Sequence, residues 1–245
     1  MSLFRKKKKV EKTSVNRLWA IRENGCWSRW ATDLNQWENY SEERKFIFAD
    51  PDTEEACYYV NPDGSVHWRN IDQNKDCHYP GLNARMVSVG GNSRLWAIQE
   101  NGDWARWAPD LDSWQVYSEK RKFIFADPAT EEACYFIDLE GNVHWRNIDQ
   151  DEDRYYPGIK AEIISVGADG RLWAIQKNGR WARWAPDLGK WQSFLEQRQF
   201  IFADPSSTSI CYYADFDGSV HWRNIDLDEE RTYPGIKALM VSVGG

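Results

Sequence analysis

The stretch AEIISVGADGRLWAIQKNGRWARW, residues 161–184, decides the fold. Its apolar runs, at residues 163–166, 172–175 and 181–184, are separated by Gly167 and by Asn178-Gly179. Short runs rich in Ile, Val and Trp between such turns are typical of strands in an antiparallel meander. Because Asn-Gly supplies the positive φ of a tight hairpin, the second and third strands should pair. A short fourth strand around Trp191 completes a predicted four-stranded sheet.

The chain repeats this pattern three times at a spacing of 77 residues, as from Arg17 to Arg94. Three motifs mark the register: RLWAI from Arg17, Arg94 and Arg171, FIFADP from Phe46, Phe123 and Phe200, and VHWRNID from Val66, Val143 and Val220. Each unit divides into two halves with the same hairpin spacing. Halves of about 38 residues are close to the ~40–45 residues of a four-stranded propeller blade. We call the half that carries RLWAI an ISVG-type blade and the half that carries FIFADP a FIFAD-type blade.

The two ends of the chain complement each other. The first unit begins at Arg17 with a second strand, and no ISVG-like strand precedes it. The chain ends on such a strand, Met240-Val241-Ser242-Val243-Gly244. An open array would leave two unpaired edges, whereas a ring pairs both. We therefore predict an all-β, six-bladed propeller with four-stranded antiparallel blades, in which the C-terminal strand closes the N-terminal blade.

Several motifs of this chain resemble the tectonin repeat. They are Tyr156-Pro157-Gly158, Ile164-Ser165-Val166-Gly167, Leu172-Trp173-Ala174-Ile175 and Asn178-Gly179 before a basic-aromatic strand. The resemblance runs from about Arg17 onward and is specific in the ISVG-type blades. The FIFAD-type blades depart from the pattern, with Ala-Asp-Pro in place of Val-Gly. Tectonin-like and tachylectin-like propellers bind glycans or microbial surface polysaccharide, so the resemblance implies a lectin.

Composition restricts the other classes. A net charge of −7 argues against nucleic-acid binding by residues 15–245, which we expect to form one domain. Residues 1–14 are predicted to be a flexible basic tail. Its positive residues either stay solvated or make weak contact with an anionic membrane; they are Arg5, Lys6, Lys7, Lys8 and Lys9.

The five cysteines favour a reducing, cytoplasmic compartment. Three of them occupy one position in separate blades, too far apart to form disulfides: Cys57, Cys134 and Cys211. The basic N-terminal segment has no apolar run after it, so no signal peptide is predicted.

Aromatic residues beside arginine supply the first candidate ligand site. Sugar rings stack on flat aromatic faces while charged or amide groups reach their hydroxyls. Two repeated sets are the candidates, and we expect one of them to be partly exposed: Trp30, Trp107 and Trp184, and Trp37, Trp114 and Trp191. Alternatively, these side chains fill the space between blades.

The VHWRN segment supplies the second candidate site. Its polar residues could line a ligand pocket: Arg69, Arg146 and Arg223, with Asn70, Asn147 and Asn224. The alternative, which we favour, is that the basic side chains on this strand bond carbonyls and carboxylates across a blade interface. The acidic segments 72–76, 149–153 and 226–230 are predicted to connect these blades to the next ones.

No motif indicates catalysis, a cofactor or a metal site. The hypothesis that follows is a multivalent carbohydrate-binding propeller that is not an enzyme. The rival is an intracellular protein-interaction scaffold that docks protein partners on its rim or central channel. A third interpretation is recent duplication of a stable unit with no ligand at each copy.

Overall fold

The computed structural model describes residues 17–244, which form six four-stranded antiparallel sheets. The innermost strands of successive sheets contact one another all the way round, so the sheets form a ring. This architecture confirms the six-bladed propeller. The predicted basic tail, residues 1–14, and its contact with a membrane lie outside the described residues.

Blades 1, 3 and 5 are the ISVG-type blades. From the centre outward, blade 1 contains β24 (Ala238–Gly244), β1 (Arg17–Arg22), β2 (Cys26–Ala31) and β3 (Gln36–Glu43). Blade 3 contains β8 (Ala84–Val89), β9 (Leu95–Gln99), β10 (Asp103–Ala108) and β11 (Ser113–Lys120). Blade 5 contains β16 (Ala161–Val166), β17 (Leu172–Gln176), β18 (Arg180–Ala185) and β19 (Lys190–Gln197). Short 3-10 turns, Gly91–Ser93 and Ala168–Gly170, follow β8 and β16.

Blades 2, 4 and 6 are the FIFAD-type blades. Blade 2 contains β4 (Phe46–Ala49), β5 (Ala56–Val60), β6 (Val66–Asn70) and β7 (Lys75–Tyr79). Blade 4 contains β12 (Phe123–Ala126), β13 (Ala133–Ile137), β14 (Val143–Asn147) and β15 (Glu152–Tyr156). Blade 6 contains β20 (Phe200–Ala203), β21 (Ile210–Ala214), β22 (Val220–Asn224) and β23 (Glu229–Tyr233).

The C-terminal strand closes the ring as predicted. β24 pairs antiparallel with β1, with Val243 opposite Leu18 and Val241 opposite Ala20. Both strands are almost wholly buried. The first and last segments of the described chain therefore share one sheet, and neither leaves an open edge at the centre of the ring.

The predicted connections at residues 72–76, 149–153 and 226–230 are wrong. Each segment instead forms the turn after the third strand and the start of the fourth strand of its own blade, as where Arg146 on β14 pairs with Asp153 on β15. Four of the five residues in each of these outer strands are exposed, so their charged sequences suit an edge position.

The centre of the ring is filled. Phe48, Phe125 and Phe202, one from each repeat, meet with ring centroids 5.4–5.7 Å apart. The space left among the inner strands is about 10 Å³. This cluster blocks the central channel at that level. Of the two docking sites that the scaffold hypothesis offered, the rim therefore remains.

A buried carboxylate joins the two motifs in blades 2 and 4. Asp50 of FIFADP accepts a 2.7 Å hydrogen bond from the indole Nε1 of Trp68 in VHWRN, and Asp127 accepts the same bond from Trp145. The second oxygen of Asp50 accepts a 2.8 Å bond from a backbone N–H of the following loop. The FIFADP and VHWRN motifs therefore recur together because they make one structural unit.

The meander gives the ring two faces. The loops between strands 1 and 2 and the turns between strands 3 and 4 form the 1–2 face. The hairpins between strands 2 and 3 and the connections to the next blade form the 2–3 face. In the hairpins the glycine takes a positive φ, as at Gly179 (φ 80°), whose N–H donates to the Gln176 carbonyl.

Candidate functional site

Four aromatic rings meet at each junction from a FIFAD-type blade to the following ISVG-type blade. Between blades 2 and 3, Tyr79 packs edge-on against Trp107 at 5.1 Å between centroids, and Trp107 packs edge-on against Trp114 at 5.3 Å. Tyr58 lies 6.3 Å from Tyr79. Edge-on packing is a favoured arrangement for aromatic pairs. We call this group cluster 2/3.

The same four positions recur at two other junctions. Cluster 4/5 consists of Tyr135, Tyr156, Trp184 and Trp191. Cluster 6/1 consists of Tyr212, Tyr233, Trp30 and Trp37. Since corresponding centroid distances differ by only tenths of an ångström among the clusters, the three junctions share one geometry.

Strand alternation positions these rings. On β10, Trp104 and Arg106 point to one face of the blade, so Trp107 points to the other, toward blade 2. On the other side of the junction, Tyr79 is the last residue of β7 and precedes Pro80, which cannot donate a strand hydrogen bond. The Trp114 indole Nε1 donates to the Tyr79 carbonyl at 3.4 Å and fixes the two blades together.

The arginine of each RLWAI motif holds the indole-bearing strand. Nη1 of Arg94 donates to the Trp107 carbonyl at 3.0 Å, and the corresponding arginines make the same bond: Arg17 to Trp30 and Arg171 to Trp184, both at 3.2 Å. Nη2 of Arg94 also pairs with Glu131 of blade 4 at 2.7 Å. The hydrogen bond from Arg94 lowers the pKa of Glu131, which favours the charged carboxylate.

Cluster 2/3 borders a cavity of about 250 Å³. Aromatic rings form its walls and polar groups converge at its mouth; the lining includes Tyr58, Tyr79, Trp107, Ser93, Arg94 and Glu131. Burial raises the pKa of Tyr58, so its phenol remains protonated, and its hydroxyl makes hydrogen bonds with Tyr79 and Ser93 at the cavity wall. Aromatic walls with a few placed donors and acceptors suit a small polar ligand that has one apolar face.

The polar positions of this lining differ among the repeats, since Asn92 and Ser93 correspond to Asp169 and Gly170 at the 4/5 junction. Glu131 in the 2/3 cavity corresponds to Thr208 at the 4/5 junction and to Glu54 at the 6/1 junction. The aromatic walls are thus repeated three times, while the charge beside the arginine varies.

The structure brings the predicted tryptophans together. Trp30 with Trp37, Trp107 with Trp114, and Trp184 with Trp191 each form one edge-on pair. Trp30, Trp37 and Trp107 are buried, at 6–8% exposure, whereas Trp114, Trp184 and Trp191 are half-buried. The accessible aromatic surface is therefore greatest in cluster 4/5.

The predicted arginines lie at the other three junctions. Arg146 shares a face of blade 4 with Phe136, and this face packs on blade 3. There it pairs with Asp151 and Asp153, and Arg223 pairs with Asp228 and Glu230. Arg69 reaches Glu42 of blade 1 at 3.7 Å. These arginines make ion pairs within and between blades and do not join the aromatic clusters.

The predicted asparagines stabilise turns. Asn70, Asn147 and Asn224 are buried at the ends of their third strands. The side-chain oxygens accept backbone N–H bonds from the turn that follows: from Gln73 and Gln150 at 2.9 Å, and from Leu227 at 3.2 Å. Such bonds are typical of asparagine at the start of a turn.

Sequence analysis missed the tyrosines and the RLWAI arginine of this site. The recurring Tyr-Pro-Gly motif contains Tyr79, Tyr156 and Tyr233, and the arginine recurs before Leu-Trp-Ala-Ile. This repetition could have marked both residue types as site candidates. Glu131 was not marked in this way, because its position changes to threonine in another repeat.

Comparison with known proteins adds no family to this picture. No protein-family model matches the chain, and no curated protein gives a significant match. The likeness to tectonin repeats therefore rests on the motifs themselves.

Residues 17–244 contain neither a metal-binding cluster nor a membrane-spanning helix. No group of three or more His, Cys, Asp or Glu side chains is arranged to hold a metal ion. No helix in the same range is long and apolar enough to cross a membrane.

Proposed function

We propose that this protein is a multivalent carbohydrate-binding propeller whose ligands occupy the three aromatic clusters. The observation that carries the proposal is the cavity at cluster 2/3, where Tyr58, Tyr79 and Trp107 form apolar walls beside Arg94 and Glu131. A sugar presents C–H groups on one face and hydroxyls at its edge, which match these two kinds of surface.

Threefold repetition supports surface binding. Individual contacts in a cavity of this size are weak, but several that engage one polysaccharide gain ~10²–10⁴ in avidity. The clusters are spaced evenly around the ring, one at every second junction, so a surface with repeated glycans can engage more than one. We propose binding without catalysis, with no cofactor and no nucleic-acid partner.

The compartment is part of the proposal. All five cysteines are unpaired, and Cys57, Cys134 and Cys211 are buried. Unpaired cysteines favour a reducing compartment, so we propose a cytoplasmic lectin.

The test uses the hydroxyls at the cavity walls. We expect the wild-type protein to bind a subset of neutral glycans on an array. The triple variant Tyr58→Phe, Tyr135→Phe and Tyr212→Phe should bind these glycans about three- to tenfold more weakly, because one hydrogen bond is lost per site. The matched control is Tyr59→Phe with Tyr213→Phe. Phenylalanine already occupies that position as Phe136, on the opposite face of the blade. Loss of binding in the control alone, or no glycan bound by the wild type, would refute the proposal.

A protein-interaction scaffold is the second candidate. One observation favours it: Leu34, Leu111 and Leu188 occupy one turn position in the three ISVG-type blades and are 54–61% exposed on the 1–2 face. Exposed leucines at equivalent positions suit a docking surface for a protein. Pull-down of a defined complex that resists competing sugars, and that is lost in the triple Leu→Ser variant, would favour the scaffold over the lectin.

A further inference from the structure

A second kind of cavity opens on the 2–3 face, away from the mouths of the aromatic cavities. The one between blades 4 and 5 measures about 610 Å³. Its lining comes from the outer part of blade 4, the connection between the blades and the hairpin of blade 5: Asn142, Tyr155, Gly158, Ile159, Lys160, Gln176, Lys177 and Asn178. The lining residues include two lysines but no carboxylate.

An amide network orients one of these lysines. The ammonium of Lys160 donates to Asn142 Oδ1 at 2.6 Å, and the Tyr155 hydroxyl donates to the same oxygen at 3.4 Å. Asn142 is fixed in turn because its Nδ2 donates to Asp138 Oδ2 at 2.7 Å. Asp138 also pairs with His144 of the same blade at 3.1 Å, so this carboxylate contacts His144 and Asn142.

Neither Lys160 nor Lys177 forms an ion pair with any carboxylate in the part of the chain that the structure describes. Arg180, at the base of the same hairpin, adds a third positive side chain that is exposed. Lysines that no carboxylate pairs with raise the local positive potential at the cavity.

The equivalent positions in the other repeats are neutralised. Between blades 6 and 1, Lys237 is held by Asp217 at 3.1 Å, whereas Glu140, at the same position in blade 4, forms no ion pair with Lys160. Glu23 stands where the cavity between blades 4 and 5 has Lys177. Between blades 2 and 3, the two lysines are replaced by Asn83 and Glu100. Glu100 pairs with Lys45 of blade 2. Three copies of one cavity therefore differ in charge, and only the 4/5 copy has two lysines.

We propose that the cavity between blades 4 and 5 binds the anionic substituent of an acidic glycan, a sulfate, phosphate or carboxylate. Two ammonium groups supply charge-assisted donors for the anion, and that of Lys160 keeps two N–H groups beyond its bond to Asn142. The amides of Gln176 and Asn178 are placed for neighbouring sugar hydroxyls. This site does not depend on the aromatic clusters, because it uses none of their side chains.

The test is calorimetric titration at low ionic strength with glucose 6-sulfate, glucose 6-phosphate, glucuronate and unmodified glucose. We expect one equivalent of an anionic sugar per chain, binding that weakens as salt is added, and no comparable binding of glucose. The three anionic probes separate sulfate, phosphate and carboxylate as sources of the charge.

Lys177→Glu installs the acid that the other two copies carry. We expect it to weaken the anionic sugar about tenfold or more, and Lys177→Arg to retain binding. Lys190→Glu is the matched control, because it changes the charge of the same blade by the same amount on the 1–2 face. Glu23→Lys should increase binding of anionic sugars at the 6/1 copy.

Three results would overturn the inference: no binding of any anionic sugar by the wild type, equal binding of glucose and glucose 6-sulfate, or equal binding by Lys177→Glu and Lys190→Glu. The variant with Tyr58, Tyr135 and Tyr212 changed to Phe should bind the anionic sugars as the wild type does. Failure at this cavity is thereby distinguished from failure of the proposed lectin function at the aromatic clusters.

Discussion

The backbone N–H of Ala49 donates a 2.8 Å hydrogen bond to the side-chain oxygen of Ser242, 193 positions along the chain. The bond joins the inner strand of blade 2 to the strand that closes blade 1. Ser88 and Ser165 accept equivalent bonds from Ala126 and Ala203 at 2.9 and 2.8 Å. The junction made by the end of the chain is therefore built like the two junctions within it.

Replacing this serine tests that equivalence. Ser242→Ala leaves the Ala49 N–H buried without a partner, so we expect a loss of about 1–3 kcal/mol in the free energy of unfolding. Urea titration followed by tryptophan fluorescence measures it. Ser88→Ala should lose a similar amount, and Ser118→Ala, at an exposed position, should stay within about 0.5 kcal/mol of the wild type. A stable Ser242→Ala variant beside an unstable Ser88→Ala variant would mean that the closing strand contributes little.

The glycine after each ISVG-type inner strand permits close approach of the next blade. A Cβ at Gly90 would lie 2.5 Å from the Asp127 carbonyl oxygen and 2.9 Å from the Ala126 side chain. Since neither backbone nor Cβ can move freely, we expect Gly90→Ala to lower the free energy of unfolding by about 1–3 kcal/mol or more. Chemical denaturation provides the measurement.

A second glycine supplies the control for that substitution. Gly189 has φ 57° and open space around it, and the same turn position holds Asn35 (φ 50°) and Asp112 (φ 46°) in the other repeats. Gly189→Asn should be neutral or slightly stabilising, because it restricts the unfolded chain without strain in the fold. Equal destabilisation by both substitutions would contradict the steric account of Gly90.

The central phenylalanine cluster is expected to stabilise the ring without contributing to ligand binding. Phe125 is 5% exposed and touches both other rings. Phe125→Ala should lower the free energy of unfolding by about 3–5 kcal/mol, and Phe125→Leu by less than about 1.5 kcal/mol. Glycan binding by the folded Leu variant should equal that of the wild type. Weaker glycan binding by this variant would place a ligand in the channel.

Acid should weaken blade 6 through Glu230. Burial alone would raise the pKa of this carboxyl, but the Tyr213 hydroxyl, 2.7 Å away, and the charges of His221 and Arg223 outweigh burial and lower it. A lowered pKa in the fold means that the contribution to stability is present above the unfolded pKa, near 4.5, and is lost as pH falls below it.

The contribution is small because the side chain is 38% exposed, and we expect less than about 1 kcal/mol. The urea midpoint should fall less between about pH 6 and about pH 3 for Glu230→Gln than for the wild type. Glu229→Gln, at an exposed neighbouring position, should follow the wild type. An identical pH dependence in the Glu230 variant would contradict the assigned shift.

The architecture was predictable because hairpins form between neighbouring strands, and because the three repeats have nearly the same sequence and therefore the same sheets. Turn residues such as Asn178-Gly179 predict the hairpins. The strand that begins at Ala238 has no second strand after it in the sequence, so it was predicted to pair with β1 and close the ring, as it does. The outer strands of the FIFAD-type blades were missed. Lys75–Tyr79 reads as KDCHY, without an apolar run, because an edge strand exposed to water does not need one.

The candidate site was only partly predictable. Alternation along β10 separates Trp107 from Arg106, but it does not tell which neighbouring blade each face meets. That depends on the direction in which the ring is wound. Sequence analysis therefore could not tell whether the candidate sites of Trp107 and Arg146 adjoin, and the structure puts them at different junctions.

The number of neutral glycans bound per chain tests the central proposal most directly. Native mass spectrometry with the neutral oligosaccharide that the array selects should show three molecules per wild-type chain at saturation, one for each aromatic cluster. Tyr58→Phe alone should weaken one of the three, and the variant with Tyr58, Tyr135 and Tyr212 all changed to Phe should weaken all of them. Saturation at a single molecule, or three molecules bound equally well by the triple variant, would contradict binding at the aromatic clusters.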